Sequence, residues 1–251
     1  MRIEEQLIVD IAAAIIFAAI GFVAARLWEK AKLMQRYGYI RQLLAGHERL
    51  QIIVPSVEVE RFTFPTDAGE VVHESPRNVL FMPMPEGRAI AALISIFHKI
   101  NPKLNLQLIT ANNHDPSVPT FSIGGPSVNP FSKRKLSADF PMFGIEYPAA
   151  MRAHYGGLIF ETYRDNANML TTDYGFIFIT QTTQGAPCLV LCGILAFGTA
   201  MAVGLFGSLG SSSEAADVIR RARKGFIVAE GKVDGLEETA VSLSHWRSVP
   251  L

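Results

Sequence analysis

The sequence has few of the residues that usually announce chemistry. Two cysteines, Cys188 and Cys192, occur in 251 residues, and both fall within one apolar run. On a strand their Cα atoms would stand roughly 13 Å apart, too far for a disulfide. They read as small buried hydrophobes of a reducing compartment. The six histidines (His47, His73, His98, His114, His154, His245) are scattered without metal-ligand spacing, so no metal is expected. Net charge is absent too: 23 Lys+Arg balance 23 Asp+Glu, so nucleic acid is not an expected partner. There is no P-loop and no complete G-x-G-x-x-G fingerprint. Neither a Ser/His/Asp set nor an activated cysteine can be assembled from spacing. No internal repeat or low-complexity segment occurs.

What the chain has is apolar surface, with a mean hydropathy of +0.23 concentrated near residues 7–25 and 187–206. Leu7 to Ala25 is a stretch of 19 residues whose one charge is Asp10. As a helix it spans roughly 28 Å, about one hydrocarbon core. Arg26, Lys30, Lys32, Arg36 and Arg41 follow it, whereas Arg2 alone precedes it, so the C-terminal side is expected to face the cytoplasm. Trp28 falls at the expected interface. Val23-Ala24-Ala25 resembles a signal-peptide cleavage site, but the positive charge lies on the wrong side for one. A buried helix of a soluble protein is the other alternative. Ala14-x-x-x-Ala18 and Gly21-x-x-x-Ala25 would let two such helices pack closely, a hint of homo-oligomer formation. The expected organisation is a transmembrane anchor over 1–27, a juxtamembrane helix over 28–50 and a cytoplasmic domain over 51–251.

Periodicity in the domain points to an α/β fold. It is expected to be Rossmann-like, a mostly parallel sheet with added antiparallel strands. Gln51 to Phe64 alternates between prolines and reads as edge strands. Val79 to Met82, a turn at 83–87, a helix over 88–100 and a strand over 104–110 together make a βαβ signature. Thr120 to Ile123 is a further strand. Residues 158–163 and 174–180 are expected to pair as a hairpin, and 225–230 and 240–246 are terminal strands. Residues 187–207 are uncharged for 21 positions, long enough for a second membrane span. The short strand-like Cys188–Cys192 run and the glycines at 193 and 198 favour strand, loop and helix instead.

In an open α/β sheet, ligands bind outside the carboxyl ends of the parallel strands. Three such ends carry suitable residues: Glu86 with Gly87, then Gly124-Gly125-Pro126-Ser127-Val128-Asn129, then Gly198-Thr199. Glycine lets backbone approach a ligand, and helix N-termini attract phosphate or carboxylate. Ser127, Asn129 and Thr199 add short polar groups. Convergence of the three would make a nucleotide-sized anion pocket, although each glycine could serve turn geometry alone and Thr199 could simply cap its helix. Glu86 is the candidate catalytic carboxylate or ribose ligand, with a first-turn dipole role as its plain alternative. Glu146, Glu161 and Asp173 read as solvated charges. His114-Asp115 and Lys133-Arg134-Lys135 read as surface turns, the histidine near the presumed binding edge.

At Gly124-Gly125-Pro126 and Gly198-Thr199 the chain resembles the SLOG superfamily, which includes the lonely-guy phosphoribohydrolases and domains proposed to sense nucleotides. That resemblance implies a Rossmann-like nucleotide pocket over the central half of the chain. The enzymes carry P-G-G-x-G-T-x-x-E. Here the residues run Ile194-Leu195-Ala196-Phe197-Gly198-Thr199-Ala200-Met201-Ala202, without the glycine pair and with Ala202 in place of the glutamate. Phosphoribohydrolase activity is therefore not implied.

Three functions follow as expectations. The first is a membrane-anchored module that binds or senses a nucleotide. The second is an interaction module that docks a membrane complex, and the third a hydrolase of an N-glycosidic bond using Glu86. No cofactor is specified.

Overall fold

The computed structural model describes residues 3–55, 57–58, 61–66, 69–74, 80–147, 150–221, 224–234 and 237–248, with side chains for 15–55, 82–147, 150–221, 224–234 and 241–242. Helix α1 (Ile3–Leu43) is one rod of 41 residues, about 60 Å long. Strands β1 (Arg49–Ile53), β2 (Val57–Glu58), β3 (Arg61–Thr66), β4 (Gly69–Glu74) and β5 (Leu80–Phe81) precede helix α2 (Met84–Ile100). Strands β6 (Asn105–Ile109) and β7 (Thr120–Ile123) lead into helix α3 (Pro130–Asp139). Next come β8 (Phe143–Glu146), β9 (Arg152–Tyr155), β10 (Leu158–Glu161), β11 (Tyr163–Arg164), β12 (Leu170–Gln181) and β13 (Pro187–Gly193). Helices α4 (Ala196–Ser208) and α5 (Glu214–Arg221) precede β14 (Gly225–Asp234) and β15 (Glu237–Ser248).

The main sheet runs β15-β14-β12-β13-β7-β1-β6, with β11 beside β12. Strands β6, β1, β7 and β13 are mutually parallel, while β11, β12, β14 and β15 join antiparallel. The fold is α/β with a mixed sheet, a parallel core with added antiparallel strands as expected, although the antiparallel strands are as many as the parallel ones. Two assignments change with it. The segment 49–53 is central in the sheet, not an edge, because β6 and β7 flank it and Leu50, Ile52 and Ile53 are fully buried. It opens the βαβ unit with α2 and β6, whereas Leu80–Phe81 pairs with β2 outside that sheet. The expected hairpin also divides. Residues 158–161 pair with β9 in a small sheet, and 174–180 pair with β13 and β14.

Residues 187–207 form strand β13 and helix α4, as their short apolar run and glycines imply. Both cysteines on β13 are free and fully buried, and burial pushes the Cys188 thiol up to about 12.

Apolar side chains on each sheet face set the layers. On one face Leu50, Ile52, Phe121, Leu189 and Leu191 meet α2, α4, α5 and the end of α1. On the other, Phe176, Phe178, Val190 and Phe226 meet α3 and the β8–β10 sheet. Most contacts among Phe140, Phe143, Tyr155, Phe160, Phe176, Phe178 and Phe226 are edge-on or tilted, the arrangement the ring quadrupole favours.

The end of α1 belongs to the domain. Tyr37, Tyr39, Ile40, Leu43 and Leu44 are buried in the first layer. The Tyr39 hydroxyl donates to the Phe206 carbonyl. Ser211, in the α4–α5 loop, donates its amide to Gln35 O at 2.8 Å and its hydroxyl to Met34 O at 2.9 Å. The expected juxtamembrane helix over 28–50 is thus tied to the domain at Met34 and Gln35 and buried in its core from Tyr37 to Leu44. Farther up, Ile15, Ile16, Phe17, Ile20, Phe22, Val23, Leu27 and Trp28 are 56% to 74% exposed. Among the described residues, no helix is long and apolar enough to cross a membrane. The side chains of 7–14, part of the apolar stretch, lie outside them.

Candidate functional site

Chain order makes a switch point in the parallel strands. From β1 the chain passes through α2 to β6 on one side, and from β7 it leads through α3 toward β13 on the other. Adjacent strands whose connections diverge leave a crevice at their carboxyl ends. Gly124 fills that crevice. Its φ of +90° favours glycine, and a Cβ there would stand 3.1 Å from Val128, 3.3 Å from Pro55 and 3.4 Å from Glu86 Oε1.

Beside it, over the ends of β7 and β13, lies a cavity of about 410 Å³. Glu86, Gly125, Ser127, Gly193, Thr199, Tyr147, Arg164 and Leu170 are among its walls. The cavity thus brings together Glu86, Gly125, Ser127 and Thr199 from the three expected strand ends. Gly124, Pro126, Asn129 and Gly198 are not among its lining residues.

Glu86 decides the character of this cavity. It is 3% exposed, in the first turn of α2. Its Oε1 accepts from the Thr199 hydroxyl at a long 3.5 Å, and its Oε2 has no hydrogen-bond partner. Burial outweighs the Thr199 contact and raises the carboxyl to about 7. A buried carboxyl with an unpaired oxygen is costly unless a ligand or water supplies a donor.

Asn129 has another task. It is fully buried at the N-terminus of α3, where its Oδ1 accepts from the Phe131 and Ser132 amides at 3.0 and 3.3 Å. Its Nδ2 donates to Ile123 O at 2.8 Å and to Ser122 Oγ at 3.0 Å. With these bonds made it is a helix cap that ties α3 to β7. Asn129→Ala is expected to cost about 2 kcal/mol in urea unfolding, from the lost cap and the buried donors it leaves unpaired. An unchanged midpoint would refute the cap.

The start of α4 is arranged differently from the expected anion cradle. Asp173, on β12, is fully buried rather than solvated. Its Oδ2 accepts from the Gly198 amide at 2.6 Å and its Oδ1 from the Tyr174 amide at 2.8 Å, and the Leu195 amide also points to it. A carboxylate of the chain itself therefore occupies the helix N-terminus. Burial still outweighs these donors and raises Asp173 to about 7. Gly198 is packed against backbone: a Cβ there would lie 2.1 Å from Tyr174 O. Thr199 does not cap its helix, whose N-cap is Leu195. Its hydroxyl turns to Glu86 instead.

Arg164 and Tyr147, both exposed on the cavity wall, were not recognisable from sequence. They come from segments without motif or periodicity. Arg164 is the cation of this cavity, its Nη1 donating to Asn168 O at 2.8 Å.

The remaining candidates lie elsewhere. His114 contacts Thr120 Oγ1 at 3.1 Å, at the start of β7 and so at the opposite sheet edge from the cavity. Burial lowers its pKa. Asp115 pairs with Arg49, the first residue of β1, at 3.5 Å. Lys135 pairs with Asp139 at 2.8 Å. Glu146 and Glu161 flank Arg152 on the small sheet at 2.9 and 3.8 Å. Among the described residues no group of three or more His, Cys, Asp or Glu is placed to hold a metal.

The chain matches no family model and no curated protein.

Proposed function

We propose that the protein is a membrane-tethered module that binds a nucleotide-class small molecule at the carboxyl edge of its sheet, on the cytoplasmic side. The observation that carries the ligand site is the unpaired Glu86 oxygen on the wall of the 410 Å³ cavity. It calls for a ligand that brings a hydroxyl or amine donor, such as a ribose or a base. Arg164 offers the same ligand an anion partner. Because Asp173 already holds the α4 N-terminus, phosphate belongs with Arg164 rather than with Gly198-Thr199. The SLOG-like, Rossmann-type reading is consistent with this switch-point placement.

The tether rests on the exposed apolar side chains of residues 15–28, far more contiguous apolar surface than a soluble monomer usually shows. The excess of Lys and Arg after residue 25 supports the cytoplasmic orientation.

Thermal unfolding of the full chain in detergent, against a panel of nucleosides and nucleotides, tests the site. A ligand at about 100 times its dissociation constant should stabilise the fold by roughly 2.7 kcal/mol. Glu86→Gln should weaken the response to every active member, and Arg164→Ala the response to phosphorylated members only. A flat panel in well-folded protein would refute the reading and leave the interaction module.

A second reading has one observation in its favour. A buried carboxyl raised to about 7 is poised for general acid–base work, as hydrolysis of an N-glycosidic bond requires. Free base released from a stabilising nucleotide, and lost in Glu86→Gln, would turn the binding module into that enzyme.

A further inference from the structure

We infer that strand β6 is the surface through which two copies of this chain pair, edge to edge, about a two-fold axis at Gln107. Strand β6 ends the main sheet on its parallel side, and among the described residues β1 is its one strand partner. The other parallel strands are closed in: β7 buries every residue, and β1 and β13 all but the first, whereas β6 buries none. Sheets commonly protect such an edge with a charged residue, a proline or a bulge. Asn105-Leu106-Gln107-Leu108-Ile109 has no charge of either sign, no proline and an unbroken register with β1. Leu108 on this edge is 55% exposed.

Backbone direction makes the strand complementary to itself. The Asn105 amide donates to Glu48 O at 2.9 Å, and Ile109 O accepts from the Val54 amide at 3.0 Å. Backbone groups alternate sides along a strand, so residues 105, 107 and 109 serve β1. Leu106 and Leu108 then turn their N–H and C=O groups outward. A second β6, antiparallel and centred on Gln107, sets Leu106 opposite Leu108 of the other copy, and Leu108 opposite its Leu106. These are the residues with outward backbone groups, so each pair exchanges both of its hydrogen bonds. Leu106 packs into the layer that holds α2, and Ile109 into the opposite face. The register therefore matches leucine with leucine on the α2 face and Gln107 with Gln107 on the other, favourable cross-strand pairs. The nearest charge, Lys103, falls at opposite ends of the paired strands, so no like charges meet. One patch that pairs with itself closes at two copies.

Light scattering of the full chain in detergent, over a dilution series, should give twice the mass of one chain. Leu108→Lys, at an exposed position, should give a monomer with an unchanged urea midpoint. Gln107→Cys reports the register. Opposed residues of a pair without hydrogen bonds have Cα atoms about 4.5 Å apart, within disulfide reach, so mild oxidation should link the copies. Asn105→Cys should stay unlinked, because the two positions lie more than about 13 Å apart in that register. Cys188 and Cys192 are fully buried and add no background. A monomer at every concentration would overturn the second copy as the occupant of this edge. A dimer that survives Leu108→Lys, or in which Gln107→Cys stays unlinked, would place the contact on another surface and overturn β6. Equal linking at both positions would overturn the two-fold at Gln107.

Discussion

Gly198→Ala should lose about 3 kcal/mol of unfolding free energy or fail to fold, while Gly125→Ala should stay within about 1 kcal/mol of wild type. A methyl on Gly198 would lie 2.1 Å from Tyr174 O and 2.7 Å from its carbonyl carbon. Neither is the tip of a flexible side chain, so α4 must move off the sheet. That movement would break the 2.6 Å bond from the Gly198 amide to Asp173. It would also open a helix whose Met201, Ala202, Val203 and Phe206 are at most 1% exposed. A methyl on Gly125 meets its nearest atom, Gly193 O, at 3.5 Å, an ordinary contact. Urea unfolding of the two variants therefore separates a glycine required by packing from one that lines the cavity. A wild-type midpoint for Gly198→Ala would mean that α4 is not seated as described.

The same pair shows what the sequence could convey. Gly125 follows β7 and precedes α3, and Gly198 follows β13 in the first turn of α4, so a motif search weighs them alike. The difference is the distance to β12, set by pairing of Gly175 with Gly193 across the sheet, which no local pattern encodes. Local signals served where the whole unit is local: the strand and helix within 187–207, helix α2, and strands β6 and β7. They failed at β1, because Pro55 and the alternation after it suggested an edge. The centrality of β1 depends on partners more than 50 residues away. Glu86 was legible as an acid at a strand end. Its unpaired oxygen was not, since that depends on what α4 and β7 leave around it. Asp173 ran against the usual exposure of aspartate. Asn129 read from sequence as a ligand group, and its four hydrogen bonds instead make it the cap of α3.

The stability of the domain should fall as pH rises from about 4 to 7, the reverse of ordinary acid denaturation. Burial lifts both Glu86 and Asp173 to about 7 in the folded state. In the unfolded chain they lose their protons near 4. Between those values the native protein holds protons that the unfolded chain has shed, so the unfolding free energy decreases with pH. The contribution is fully present below the unfolded values, is lost as pH passes through about 7, and does not change further above it. For Glu86 the shift is from 4.5 to about 7, on the order of 3 kcal/mol. Glu86→Gln stays uncharged throughout. Its urea midpoint should match wild type near pH 4 and exceed it increasingly toward pH 8.5, with the Asp173 slope retained. Parallel curves would mean that Glu86 is solvated, and the cavity would lose its polar anchor. A ligand that donates a hydrogen bond to the Glu86 carboxylate would relieve the same penalty. Its stabilising effect should therefore be larger at pH 8.5 than at pH 5.5, and Glu86→Gln should abolish that difference.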